Sequence, residues 1–220
     1  MLNIIFEDNH LIVCLKPAGI LSQKDYTGQD SMVELVKDYL RVKYQKPGNI
    51  YLGLVHRLDR NTEGLMVFAK TSKAAARLSK DIQKHDFNKN YYALVCGKLK
   101  DSGILVNNLS KDEAQNKSFV SNQGKEAVLE YKVIEKVKDI SLVDVNLITG
   151  RHHQIRVQFS YIGCPLYGDV KYGAKSLNKD FLALYAYDLR FFHPVTKAEM
   201  RFSVVPKGKI WDNFFKLTTK

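Results

Sequence analysis

HRLDRNTEGLMVFAKT, residues 56–71, sets an arginine on either side of one aspartate and then runs straight into an apolar segment. GLMVFAKT reads as a buried strand entered through a turn at Gly64, which leaves Asp59 in the connection ahead of it. Taken alone, a carboxylate there is a turn or N-cap acceptor. Its setting argues for more. Arg57 and Arg60 flank it and Arg156 lies in a second basic segment, and positive charge nearby keeps a carboxylate ionised at neutral pH. Such a group is a weak base but a usable nucleophile or electrostatic partner.

Working outward, NIIF (3–6) and LIVCLK (11–16) predict strands, and Pro17-Ala18-Gly19 a turn after the second. Ser31 with Glu34 has the form of a capping box, and Val33, Val36 and Leu40 recur at helical spacing through residues 31–44. KPGN (46–49) breaks the chain, and residues 72–85 are Ala-rich and helical with lysines outward. From residue 90 strands dominate: 90–99, 126–137, 140–148, 183–192 and 200–205. SKDEAQNKSFVSNQG (110–124) is polar and predicts a surface excursion. HHQIRVQFSYIG (152–163) ends with Gly163 and Pro165 in a helix-stop pattern, with Ile155, Phe159 and Ile162 on one face, and WDNFFKL (211–217) predicts a short closing helix. Many strands with a few helices point to an α+β fold, a single domain over residues 1–220 with a mainly antiparallel mixed sheet and flanking helices.

The 220 residues carry 34 Lys plus Arg against 23 Asp plus Glu, a net charge of +11. A polyanion, nucleic acid first, is therefore the partner to test, against the plainer reading of a lysine-rich solvated surface. Three cysteines without a C-x-x-C pair argue against a disulfide scaffold or thiolate zinc site. No apolar stretch reaches the roughly 18 residues that span a bilayer, so a reducing cytoplasm and no membrane are expected. Phosphate-binding P-loop, dinucleotide-binding and nucleophile-elbow patterns are missing, so nucleotide hydrolysis, dinucleotide binding and α/β-hydrolase chemistry lose their main signals.

TGRHHQIR (149–156) gathers Arg151, His152, His153, Gln154 and Arg156 at the start of a predicted helix, where anions bind well. Adjacent histidines on a helix point in different directions, which argues against a metal site there. Tyr91 and Tyr92 are neighbours on a strand, so one faces the core and the other is able to stack on a nucleobase. GDVKYG (168–173) reads as a Gly-bounded turn.

Together these segments resemble the RluA-type RNA pseudouridine synthases along nearly the whole chain: LKPAGIL (15–21), HRLDRNTEG (56–64), KNYYALVCG (89–97), TGRHHQIRVQ (149–158) and GCPLYGDVKYG (163–173), in order. The resemblance implies a pseudouridine synthase fold with a central RNA-binding cleft and a cofactor-free, metal-free isomerisation. Asp59 matches the essential aspartate, which takes part in breaking the uridine N1–C1′ bond by attack on sugar or base. Tyr91 matches the tyrosine that stacks on the base and assists loss of the C5 proton, Arg156 the arginine that pairs with the aspartate, and Arg57 the one that enters the RNA stack when the target flips out. Arg60, Lys16, Lys89, Arg151, His152 and His153 are expected to contact phosphate or sugar. The implied partner is ribosomal or transfer RNA, and nothing in the sequence argues against a monomer. Leu15, Glu63 and Gln158 depart from the usual Asn, Ser and His. The family's frequent S4-like domain is not seen ahead of the first strand, so RNA selection is expected from the catalytic domain. Two rival functions remain: an RNA-binding or ribosome-assembly protein, and a base-releasing glycosidase acting through Asp59.

Overall fold

A computed structural model of the chain describes residues 2–25, 28–174 and 181–215. In chain order the elements are β1 (Asn3–Glu7), β2 (Leu11–Lys16), α1 (Met32–Tyr44), β3 (Gly53–Leu54), β4 (Glu63–Ala69), α2 (Ser72–Gln83), β5 (Asn88–Cys96), β6 (Ser102–Asp112), β7 (Lys117–Val120), β8 (Lys125–Val137), β9 (Ile140–Leu147), α3 (Gln154–Tyr161), a 3-10 turn (Val170–Tyr172), β10 (Leu184–Phe192), β11 (Glu199–Ser203) and α4 (Lys209–Phe215). This is the expected α+β fold with a mainly antiparallel sheet. The chain, read from sequence as one domain, clusters into two compact units, residues 1–87 with 188–204 and residues 88–187 with 205–220. The helix expected over 211–217 is α4; Lys216 and Leu217 lie outside the described residues.

In the first unit the strand order is β1-β2-β4-β10, with β3 on β4 and β11 on β10. β2 and β4 pair antiparallel from Leu11↔Ala69 to Lys16↔Gly64. Both are buried on both faces, which explains why they read as unbroken apolar runs rather than alternating ones. Leu11, Val13, Leu65, Val67, Leu78 of α2, Phe87 and Phe191 form the core, with the Phe87 and Phe191 rings stacked 5.0 Å apart. Ser31 caps α1, its Oγ accepting from Glu34 N at 3.5 Å, and Thr71 caps α2 through Ala74 N. The buried stripe of α1 is Met32, Val36 and Leu40, with Val33 only half-buried.

The second unit orders its strands β10-β5-β9-β8-β6-β7. The polar stretch 110–124 lies largely at the surface, as expected, but it carries the turn and paired end of the β6–β7 hairpin, from Leu109↔Val120 to Asp112↔Lys117. Two features hid it. Ile104 and Val106 on β6 are 63% and 59% exposed, so the apolar alternation does not mark a core face. The strand is held by backbone pairing with β8 over Ser102↔Lys132 to Leu109↔Lys125, which side-chain patterning does not report. No helix among the described residues is long and apolar enough to cross a membrane.

Glu7, on β1, gathers α1 onto the sheet of the first unit. Its carboxylate accepts from Tyr39 Oη at 3.0 Å and from Lys43 Nζ, Tyr44 Oη and Lys70 Nζ at 2.7 Å each. Burial alone would raise this carboxyl, but the hydrogen bonds from Lys43, Lys70, Tyr44 and Tyr39 outweigh it and bring the pKa down to about 2. A depressed carboxyl stabilises the fold above its unfolded value of 4.5, and that stability is lost as pH falls towards 2. Glu7→Gln is therefore expected to lower unfolding stability at pH 7 by about 2 kcal/mol. In urea unfolding the gap from wild type should narrow between pH 4.5 and 2; a gap independent of pH would contradict this role.

Candidate active site

Asp59 lies in the loop between β3 and β4, and that loop is laced to residues 16–22. Ser22 Oγ donates to Leu58 O at 2.7 Å and accepts from Leu58 N at 3.0 Å. Gly19 N donates to Arg60 O at 2.9 Å, and Arg60 Nε returns a bond to Gly19 O at 3.1 Å. Gly19 has φ +82°, a left-handed conformation that suits glycine and turns this amide onto the loop. Asp59 itself closes the turn, its carbonyl accepting from Thr62 N at 3.1 Å. Thus residues 16–22 form a clamp on the backbone either side of Asp59.

Lys16 completes the clamp. Expected as an RNA contact, it is 1% exposed, and its ammonium donates to Pro17 O at 2.9 Å and Arg60 O at 2.7 Å. Burial pushes its pKa down to about 8, against the pull of the Asp59 and Glu63 carboxylates, which favour the ammonium. Lys16 therefore acts as a positioning and electrostatic group beneath the turn. Glu63 is raised by its own burial, opposed by Lys16. Arg57 and Arg60 are both exposed, while Leu58 between them is buried. Leu15, one of the departures, packs against the apolar core.

In the second unit, Tyr91 is 5% exposed on β5, opposite Val145 of β9. Tyr92 faces the other way and stacks on Tyr187 with ring centroids 3.7 Å apart. Lys89 is buried, which lowers its pKa, and a Cβ added to Gly150 would come 3.4 Å from its Nζ. Lys89 is thus directed at the loop that leads into α3.

That loop differs from the sequence expectation. α3 begins at Gln154, so His152 and His153 precede it, and His153 is left-handed at φ 53°. Released from helical geometry, the two rings stack at 3.8 Å rather than diverging. His152 Nδ1 is 2.8 Å from Ser118 Oγ, and His153 Nδ1 is 2.8 Å from Tyr172 Oη. Gln154 ties the loop to β8: its Oε1 accepts from Thr149 Oγ1 and Arg151 N, and its Nε2 donates to Val128 O. Ile155 and Phe159 are buried, whereas Ile162 is exposed beyond the helix end. Gln158 donates from Nε2 to Leu105 O, Asn107 Oδ1 and Ala127 O, so this departure fastens α3 to β6 and β8.

Arg156 forms a two-point pair with Asp169, Nε to Oδ2 at 2.7 Å and Nη2 to Oδ1 at 2.8 Å, and its guanidinium lies 5.0 Å over the Tyr172 ring. Asp169 is buried. Neither Asp169 nor Tyr172 is given a role by the sequence reading, where GDVKYG is a Gly-bounded turn and one segment of the resemblance; its place in that resemblance after the arginine-rich segment was the available signal. Among the described residues no group of three or more His, Cys, Asp or Glu side chains is arranged to hold a metal ion.

The family model for RNA pseudouridylate synthase matches residues 10–161. Ribosomal large subunit pseudouridine synthase D of Vibrio cholerae is 35% identical over 217 residues, covering 91% of this chain and 66% of that protein. The D enzyme of Zymomonas mobilis is 36% identical over 215 residues (91% and 68%), and the C enzyme of Vibrio vulnificus 35% over 216 (94% and 66%). The chain thus spans about two thirds of the length of these curated relatives. Among solved structures, human RNA pseudouridylate synthase domain containing 4 superposes with a TM-score of 0.77 at 23% identity, covering 95% of this chain and 90% of that one. This last likeness speaks to fold. The family match extends over most of the chain and includes the Asp59 loop and the Arg156 helix, and the chain belongs to the RNA pseudouridylate synthase family.

Proposed function

We propose that the protein isomerises uridine in RNA to pseudouridine, with Asp59 as its essential carboxylate. The observation that carries this reading is the clamped turn: a carboxylate whose flanking backbone is bonded to Ser22, Gly19 and Lys16, with a buried ammonium acting on it. Such preorganisation suits a group that must meet a reacting atom in one fixed geometry. In the reaction the N1–C1′ bond breaks, the uracil turns, and C5 bonds to C1′; C5 loses a proton and N1 ends carrying one, so no outside reactant is consumed. Asp59 takes part in the cleavage, Tyr91 stacks on the base and assists loss of the C5 proton, and Arg156, steadied by Asp169, is the arginine that the resemblance assigns to the reaction. Arg57, exposed at the loop, fills the place the flipped base leaves. Arg60, Lys89, Arg151, His152 and His153 hold sugar and phosphate.

The relatives named for the large ribosomal subunit favour ribosomal RNA as the substrate class. They divide between C and D enzymes at nearly equal identity, so no uridine is assigned. The same reading gives a monomer working in the cytoplasm without a cofactor.

Asp59→Asn is expected to fold and bind RNA as wild type does while pseudouridine formation falls by about a thousandfold or more. Near-normal turnover would remove Asp59 from the mechanism, and free uracil as the product would favour a glycosidase. If Asp59→Asn rescued growth of a deletion strain, binding would be the selected role.

Lys16→Met is expected to lower kcat about a hundredfold with KM little changed, because the turn loses its buried anchor. In wild type kcat/KM should fall above about pH 8, where the lowered Lys16 pKa lets the ammonium lose its proton. The variant should lack that limb; an unchanged alkaline profile would leave Lys16 a structural residue only.

A further inference from the structure

The β6–β7 hairpin, residues 123–125 and the loop ahead of α3 border an open pocket of about 410 Å³ within the second unit. Lys111, Lys125 and Arg151 supply positive charge to its lining, Ser118, Gln123 and His152 supply polar groups, and no carboxylate lines it. Lys111 also pairs with Glu113, an exposed contact of the weak kind. The floor is hydrogen-bonded: Ser118 is buried, its N–H donates to Tyr172 Oη at 2.8 Å and its hydroxyl bonds His152. Arg151 is fixed by Nε donating to Glu126 O at 2.7 Å. At Gly124 an added Cβ would come 2.4 Å from the Leu109 backbone, so the rim there is closely packed.

We infer that this pocket binds one nucleotide of the RNA substrate other than the uridine that is isomerised. The inference rests on the proposed activity and adds a second RNA subsite to it. The volume lies near the lower end of small-ligand sites, which suits a single nucleotide. Clustered Lys and Arg match a phosphodiester. The Gln123 amide and the serine hydroxyls suit a ribose 2′-OH or a base edge. A run of contacts also joins the pocket to the proposed catalytic arginine: His152 stacks on His153, His153 bonds Tyr172, and Arg156 lies over the Tyr172 ring. A nucleotide held against His152 therefore braces the side chains that position Arg156.

The test uses the full chain and two readouts. In the first, amide resonances are followed while a single-stranded RNA hexanucleotide is titrated in, with inorganic phosphate as a parallel probe. Saturable shifts at Gln123, Gly124 and Lys125 with the oligonucleotide are expected. No shift at these amides, or equal shifts with phosphate alone, would overturn the inference. In the second, the Lys111→Ala/Lys125→Ala pair and Gln123→Ala alone are compared with Lys73→Ala/Lys80→Ala on α2, which removes the same charge elsewhere. The pocket pair should raise KM for modified RNA by about tenfold with single-turnover rate at saturation retained, and Gln123→Ala should raise it several-fold without a change in salt dependence. Equal effects from the α2 pair would reduce the pocket to general electrostatics. Failure of the proposed activity is distinct: wild type would then form no pseudouridine, while the oligonucleotide titration would still report on the pocket.

Discussion

The Lys16 ammonium, buried under the Asp59 turn, is the contact on which the first unit's candidate chemistry depends. A buried cation is stable only where it is fully bonded and faces opposite charge. Here two carbonyls accept hydrogen bonds from it, and Asp59 and Glu63 offset its desolvation. The same contact ties the end of β2 to the loop that carries Asp59, so local electrostatics and backbone geometry are set by one side chain. Ser22 and Gly19 add bonds either side of it. The surrounding strands are buried on both faces, which gives the clamp a stiff base.

The second unit uses a different device. A short chain of polar contacts links Asp169, Arg156, Tyr172, His153, His152 and Ser118, connecting the 3-10 turn, α3 and the β6–β7 hairpin. Arg156 gains a fixed plane from the two-point carboxylate pair, a geometry that a lysine would not reproduce. Gln158 and Gln154 hold α3 and its approach loop on β6 and β8 through amide bonds to backbone. The hairpin that sequence patterning missed is part of this assembly, and it supplies Leu109, Ser110, Lys111 and Ser118 to the cationic pocket.

Much of this was legible because it is local or concentrated in motifs. The cap at Ser31, the buried runs of β2 and β4, and the Asp59, Tyr91 and Arg156 segments follow from residue types and spacing. What stayed hidden is tertiary. Lys16 ends an apolar strand and reads as an RNA contact until its bond to the Arg60 carbonyl is seen. Asp169 gains meaning only beside Arg156, thirteen positions away and on another element. His152 and His153 were assigned helical geometry, and the left-handed backbone at His153 removes the premise that made them diverge. β6 exposes Ile104 and Val106 and is held by backbone pairing with β8, so no hydrophobic period announces it.

The most direct test is to map pseudouridine across total RNA from a deletion strain complemented with wild-type protein or with Asp59→Ala. The account predicts one or more sites, in ribosomal RNA, present with wild type and missing with the variant. Identical maps from the two strains, with both proteins expressed and folded, would contradict it.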